Sequence, residues 1–209
     1  MPKLNHADNP IQFYTATILL WQKLLKQDKY KQIIINSLSF LVKEQRVKIY
    51  GFVIMDNHIH IIWQGTTLFS LKHTQLSFMK YTAQQMKFDL EKNHPNVLPY
   101  FMVEAKDRKY QFWERNALSI DIMSSDVFIQ KLNYIHKNPI RANLCEIETD
   151  YKFSSAKHYM GMPHEFNFLE PYENHHSICI WFYSKRFSNF PSYISYRYSV
   201  SIPYAVVWF

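Results

Sequence analysis

The chain has 209 residues, and 24 lysines and arginines against 17 aspartates and glutamates give it a net charge of +7. A chain of this length is expected to form one domain, and its basic balance favours a polyanionic partner. The three glycines, Gly51, Gly65 and Gly161, are too few and too scattered for a phosphate-binding loop or a dinucleotide fingerprint. This argues against hydrolysis of nucleotide triphosphates and against nicotinamide chemistry.

In chain order, the apolar periodicity predicts a strand, a helical turn, a helix, two strands, a long helix, two short strands and a last helix. The first strand is expected at residues 11–20, the helical turn at 21–26 and the first helix at 30–44. The two paired strands follow at 47–55 and 58–64, and the long helix at 68–90. The short strands are expected at 100–103 and 110–113, and the last helix from Ser124 or Ser125 to Pro139. Asp56-Asn57 favours a tight turn between the paired strands. Proline breaks helical hydrogen bonding, so Pro139 is expected to end the last helix.

The order strand, helix, strand, strand, helix, strand is typical of a split βαβ arrangement. It predicts an α+β fold with an antiparallel sheet and helices packed on one face. We assign residues 1–172 to one domain. Residues 173–209 are rich in aromatic residues and contain no acidic residue after Glu173, and they show no clear periodicity. We expect this tail to be poorly ordered.

The cellular context follows from what the sequence lacks. Cys145 and Cys179 form neither a disulfide framework nor a metal-spaced pair, which fits a reducing cytoplasm. The first ten residues are polar, and no apolar stretch is long enough to span a bilayer. We expect a cytoplasmic protein with no membrane partner.

The strand at residues 58–64 begins with two histidines. His58 and His60 are two residues apart in a strand, so they share one face, while Ile59 points to the other. Two imidazoles on one side of a rigid strand are a pre-aimed pair of metal ligands. The alternative is a pair of histidines held only by ordinary hydrogen bonds.

The last predicted helix has a second pair of polar side chains. Tyr134 and Asn138 are one helical turn apart and therefore lie on one face. A phenol and a carboxamide oxygen delivered to a metal on the histidine strand would suit cleavage of a phosphodiester through a tyrosine. Most tyrosines instead pack their ring and hydrogen-bond their hydroxyl, and that interpretation stays open here.

A resemblance to a known family lies at residues 51–63, GFVIMDNHIHIIW. This segment resembles the histidine strand of the single-tyrosine HUH transposases, which include the insertion-sequence-200-like enzymes and the REP-associated tyrosine transposases. Residues 134–144, YIHKNPIRANL, are similar to their tyrosine helix, especially in the REP-associated branch. Lesser similarities lie at residues 112–115 and 151–156. Two positions depart from the family: Asp56 replaces the usual proline, and Asn143 replaces the usual glycine.

The resemblance implies a ferredoxin-like core with the tyrosine helix laid against the sheet. It implies a prokaryotic transposase, nucleoid-associated when active, that nicks and rejoins single-stranded or hairpin DNA through a 5′-phosphotyrosine on Tyr134. It also implies that His58, His60 and Asn138 hold Mg²⁺ or Mn²⁺, although relatives often have Gln at the third position. Relatives occur as monomers and as homodimers that exchange the tyrosine helix, and both states stay open.

Several basic side chains are candidate DNA contacts. They lie on the long helix, in a basic loop and at the end of the tyrosine helix: Lys80, Lys87, Lys106, Arg108, Lys109 and Arg141. The alternative for the first five is an ordinary solvated surface, and Arg141 or Lys137 could simply favour the helix C-terminus.

The sequence is also compatible with two other functions. One is a non-catalytic module that binds single-stranded nucleic acid on sheet aromatics. The other is a domesticated enzyme that uses the same chemistry on host repeats.

Overall fold

The computed structural model describes residues 9–172, so the predicted tail at residues 173–209 lies outside the described residues. The strands are β1 (Ile11–Thr17), β2 (Val47–Ile54), β3 (His58–Gly65), β4 (Met102–Ala105), β5 (Arg108–Tyr110) and β6 (Leu118–Asp121). The helices are α1 (Asp28–Lys43), α2 (Leu71–Asn93), α3 (Ser125–Arg141) and a short α4 (Ala156–Tyr159). No helix among these residues is long and apolar enough to cross a membrane.

The main sheet has four strands in the order β2-β3-β1-β6, with antiparallel pairing throughout. With α1 after β1 and α2 after β3, this is the predicted α+β arrangement of a ferredoxin-like split βαβ core. Strands β4 and β5 form a separate hairpin between α2 and β6. The fold class expected from the sequence is therefore confirmed. The fourth strand of the main sheet is β6, which was not predicted, whereas the two short strands predicted after α2 form the separate hairpin.

The side chains of β3 alternate between the two faces of the sheet, and each face has its own cluster of buried apolar residues. Ile59 and Trp63 are buried on the face covered by α1 and α2, while Ile62 is buried on the opposite face, which α3 covers. The prediction of helices on one face holds for α1 and α2 only. Because side chains alternate, His58 and His60 lie on the same side as Ile62, beneath α3.

Helix α3 begins where the sequence predicted it. The Ser124 hydroxyl accepts a hydrogen bond from the backbone N–H of Val127 at 3.3 Å, which caps the helix. A buried stripe packs the helix on the sheet: Phe128, Leu132, Ile135, His136 and Pro139. A Cβ at Gly51 on β2 would lie 2.8 Å from Leu132 Cδ1, so the missing side chain allows α3 to approach the sheet closely.

The prediction that Pro139 ends this helix is wrong, because α3 continues to Arg141. Proline removes only its own N–H donor, and its carbonyl still accepts from Leu144 N at 2.9 Å. The chain leaves the helix at Asn143, whose φ is +54°. This is the left-handed helix cap for which asparagine is the next-best residue after glycine.

His136 fixes α3 to β2 from the buried side. Its Nε2 lies 2.9 Å from Ser155 Oγ, and the same hydroxyl bonds the backbone of Phe52 in β2. Burial, with a smaller contribution from the nearby His158, lowers the pKa of His136 from 6.5 to about 3. His136 therefore has a structural role in holding α3 against β2.

His136 should make the fold sensitive to acid. Between pH 6.5 and about 3 the imidazole of His136 is protonated in the unfolded chain and neutral in the folded one. The stability that depends on the neutral His136 is therefore fully present above pH 6.5 and is lost as the pH falls through this range. His136→Asn should reduce the slope of unfolding free energy against pH by about 1.4 kcal/mol per unit in this range. Urea denaturation at several pH values measures it, and equal slopes for the two proteins would contradict the assignment.

Other boundaries differ from the prediction. The first strand ends at Thr17, and the chain then makes short turns at Leu19–Trp21 and Leu24–Lys26. The strand predicted at residues 110–113 is wrong beyond Tyr110, since β5 ends there. Phe112 and Trp113 are buried, but they serve as core side chains on a connecting segment.

Candidate active site

A cleft of about 600 Å³ opens between the sheet and α3. Strand β1 and the edge strand β6 form its floor, β3 brings the two histidines, and α3 forms one wall. Its lining residues are Phe13, Thr15, Thr17, Trp21, His58, His60, Leu118, Ile120, Lys131, Tyr134 and Asn138. All four residues predicted for catalysis and metal binding are in this list, so the fold brings the histidine strand and the tyrosine helix together.

The two histidines are held by their Nδ1 atoms. His58 Nδ1 lies 2.7 Å from Asn57 Oδ1, which can only accept, so this nitrogen donates. His60 Nδ1 lies 2.7 Å from the hydroxyl of Thr15 on β1. The two rings are 4.9 Å apart. This arrangement leaves the Nε2 lone pair of His58 free for a ligand, and it suits the same tautomer at His60.

Both imidazoles are kept neutral. Burial lowers the pKa of His58. Burial also lowers the pKa of His60 to about 3, with smaller effects from the charges of His58 and Lys131. A neutral imidazole is the form that binds a metal, so protons compete poorly for His60 at neutral pH.

Tyr134 stands over this pair. Its ring lies 5.2 Å from the ring of His60 and 6.1 Å from that of Phe13, and the side chain is 40% exposed. The guanidinium of Arg141, two turns further along α3, lies 5.3 Å from the Tyr134 ring. The phenol is thus held by its ring while remaining accessible from the cleft.

The donor set fits a divalent metal. His60 Nε2 is buried and has no hydrogen-bond partner, which is costly unless a ligand occupies it. Two imidazoles and the amide oxygen of Asn138 are donors that Mn²⁺ accepts, and Mg²⁺ also takes oxygen ligands. Within residues 9–172 no group of three histidine, cysteine or carboxylate side chains is placed to bind a metal. Asn138 lines the same cleft and adds a side-chain amide oxygen to the two imidazoles.

The predicted basic contacts divide into two groups. Arg141 lies beside Tyr134 at the cleft. The others lie on α2 or on the β4-β5 hairpin, away from the cleft lining: Lys80, Lys87, Lys106, Arg108 and Lys109. Lys87 pairs with Glu91 at 2.8 Å, and Arg108 pairs with Asp107 at 2.6 Å. A role in DNA binding for these five remains a prediction.

The unusual carboxylate of Asp56 has a partner behind the site. Its Oδ1 lies 3.3 Å from Nζ of the buried Lys31 on α1, and Asp56 does not line the cleft. Asp56 therefore belongs to the turn between β2 and β3, as predicted, and its charge is paired with Lys31.

Seven of the cleft-lining residues were not predicted from the sequence, and three of them are polar or aromatic groups that bear on the site: Thr15, Trp21 and Lys131. Lys131 could have been found, since it lies one turn before Tyr134 on the same face of α3. Its Nζ is 4.9 Å from the Phe13 ring, on the cleft side. Thr15 and Trp21 depend on the pairing of β1 with β3 and on an irregular turn, which no local pattern marks.

This chain is similar to known proteins in structure but not in sequence. No family model matches the chain, and no curated protein matches it in sequence. A solved structure of a REP-associated tyrosine transposase bound to a REP hairpin superimposes with a TM-score of 0.54, covering 81% of this chain and 94% of that one at 14% identity. The chain has the fold of a REP-associated tyrosine transposase. A candidate transposase from Deinococcus radiodurans has a TM-score of 0.43, covering 66% of this chain and 96% of that one at 9% identity.

The tyrosine transposase fold confirms the architecture implied by the sequence resemblance. In this chain, α3 has the place expected of the tyrosine helix, because it lies against the sheet on the side of the two histidines. At such low identity the comparison establishes the fold. The chemistry rests on the residues of the cleft.

Proposed function

We propose that this protein nicks and rejoins single-stranded DNA through a covalent intermediate on Tyr134. The observation that carries the proposal is the position of the Tyr134 ring, 5.2 Å from His60 in a cleft that His58 and Asn138 also line. A nucleophile that is exposed next to a neutral metal-binding pair fits phosphodiester transfer.

The step is a transesterification. The Tyr134 oxygen attacks phosphorus and gives its proton to solvent in the open cleft, since a tyrosine hydroxyl is a weak nucleophile until it loses that proton. The bond between phosphorus and the 3′ oxygen breaks, and that oxygen takes up a proton and leaves as a 3′-hydroxyl. The reverse attack rejoins a strand and frees Tyr134. The phosphotyrosine bond conserves the energy of the phosphodiester bond that breaks. The reaction therefore needs no nucleotide triphosphate, in keeping with the lack of a phosphate-binding loop.

The residues of the cleft divide the remaining tasks. His58, His60 and Asn138 would hold Mn²⁺ or Mg²⁺, which when bound polarises a phosphate and neutralises charge that develops on it. Arg141 and Lys131 flank Tyr134 on α3 and would attract the phosphates on either side of the reacting one. Thr15 and Asn57 orient the histidine rings through Nδ1.

The proposed substrate is single-stranded DNA that forms a hairpin. The structural neighbour with the same fold is bound to a REP hairpin. The net charge of +7 and the cationic side chains of α3 suit a polyanion. Incubation of the protein with a labelled hairpin oligonucleotide and Mn²⁺ tests the proposal, because a covalent adduct survives a denaturing gel. Binding without any adduct would instead favour a non-catalytic module.

Binding should be strongly salt-dependent, and Lys131 should contribute more than Lys137. Lys131 lines the cleft, whereas Lys137 is exposed and does not. Lys131→Ala should weaken hairpin binding and reduce the slope of log affinity against log salt by about 0.7, the value for one phosphate contact on a single strand. Lys137→Ala is the matched control on the same helix.

Fluorescence anisotropy over a salt series, with chelator present to prevent cleavage, measures both variants against wild type. A flat salt response, or preference for a matched duplex over the hairpin, would contradict the proposed substrate. Equal salt slopes for the Lys131→Ala and Lys137→Ala proteins would contradict the proposed contact between Lys131 and a DNA phosphate.

A further inference from the structure

Two consecutive residues after β1 adopt an unusual backbone conformation. Leu20 has φ +51° and Trp21 has φ +58°, a region that L side chains other than asparagine and aspartate rarely enter. Of the described residues, the other non-glycine cases are Gln45 and Asn143, and each follows the end of a helix, where this conformation is ordinary. Leu20 and Trp21 have no such explanation. Both side chains are exposed, Leu20 by 71% and Trp21 by 62%.

The surroundings hold this turn in place. The Leu20 N–H donates to Glu114 Oε1 at 2.8 Å, and the Trp21 N–H donates to the Ile18 carbonyl at 2.9 Å. The Asn57 amide, which belongs to the turn that orients His58, donates to the Trp21 carbonyl at 3.4 Å. The strained turn is therefore connected to the histidine site, and strain that persists beside a site is a reason to look for a function.

The effect of the turn is to place an indole at the end of the cleft. Trp21 lines the cleft, and its ring meets the ring of His58 edge-on at 5.9 Å. Phe13, Leu118 and Ile120 add apolar surface to the cleft, and Lys131 on α3 adds a cation whose Nζ lies 4.9 Å from the Phe13 ring. The cleft thus offers apolar and aromatic surface suited to bases together with a cation suited to phosphates.

We propose that Trp21 is a base-stacking residue that holds one unpaired nucleobase beside the scissile phosphate. The proposal rests on the proposed function of the cleft, since the phosphate between Tyr134 and His58 leaves its neighbouring nucleotide at Trp21. An exposed indole stacks on any base, because every base has a π face. A base inside a duplex already has neighbours on both faces, so this contact selects single-stranded DNA.

Abasic scanning of the DNA tests the contact. Tyr134→Phe protein is mixed with hairpin oligonucleotides that each lack one base in the unpaired arm, so that binding is measured without cleavage. One abasic position should weaken binding by about tenfold with Trp21 present. Adding Trp21→Ala should weaken binding of the intact hairpin by a similar factor and remove the penalty at that position alone, while adding Trp21→Phe should leave an intermediate penalty.

Leu20→Ala is the matched control, because Leu20 has the same backbone strain and similar exposure but does not line the cleft. It should keep the wild-type abasic profile. The proposal would be overturned if the Trp21→Ala protein gave the same abasic profile as the protein that keeps Trp21. It would also be overturned if the Trp21→Ala and Leu20→Ala proteins lost the same affinity at every abasic position. Absence of an adduct with wild-type protein would overturn the proposed cleavage and leave this binding comparison intact, so the two failures are distinguishable.

Discussion

Tyr134→Phe is expected to abolish strand cleavage and adduct formation, with a fall of at least about 10⁴-fold, while hairpin binding and folding are kept. The ring contacts with His60 and Phe13 do not need the hydroxyl, and the ring remains in place in the variant. The phenolic oxygen is the only atom removed, so loss of chemistry without loss of binding identifies it as the nucleophile. Gel assays of adduct formation and thermal unfolding measure the two effects.

Tyr81→Phe is the control for this variant. Tyr81 is also exposed, at 49%, but it lies on α2 and does not line the cleft. It should cleave at the wild-type rate. Retained adduct formation in the Tyr134→Phe protein would contradict the assignment, and products with 5′-phosphates made by water would show a metal hydrolase instead.

Loss of either histidine is the second large effect expected. His58→Ala and His60→Leu should each reduce cleavage in Mn²⁺ by at least about 100-fold and weaken Mn²⁺ binding, because two of the three proposed donors are imidazoles. Leucine is chosen at residue 60 because it has no metal-binding atom, and because His60 is only 4% exposed and stacks on Phe13 at 5.3 Å. Alanine at this buried position would leave a cavity.

Isothermal titration with Mn²⁺ provides a measurement that does not depend on activity. His73→Ala is the control, since His73 is exposed on α2, away from the cleft lining. It should bind Mn²⁺ as wild type does. Full cleavage by a variant that lacks both cleft histidines, in the presence of chelator, would contradict the metal site.

The regular parts of the fold were predictable because their periodicity is local. The β2-β3 hairpin agrees with the prediction to within one residue at each end, since apolar residues and the Asp56-Asn57 turn define it. The segment after Tyr110 was misread as a strand because Phe112 and Trp113 are as apolar as strand residues. They owe their burial to tertiary packing, including a bond from Trp113 Nε1 to Thr82 at 3.0 Å.

The site was predictable only in pieces. The strand period put His58 and His60 on one face, and the helix period paired Tyr134 with Asn138, but neither period says that the two faces meet. That meeting depends on the docking of α3 on the sheet beside Gly51, and the family resemblance supplied it. The left-handed turn at Trp21 has no glycine, asparagine or aspartate to mark it, so the sequence does not reveal the indole at the cleft.

The most direct test is to locate the covalent bond. A hairpin labelled at its 3′ end is incubated with wild-type protein and Mn²⁺, and the adduct is digested with trypsin and sequenced by mass spectrometry. Cleavage after Lys131 and Lys137 isolates residues 132–137, LNYIHK, in which Tyr134 is the only tyrosine. We predict that the 3′ label stays with the protein through a 5′ phosphate on this peptide. A nucleotide on a peptide containing Tyr81, Tyr110 or Tyr151, or a label released without any adduct, would contradict the account.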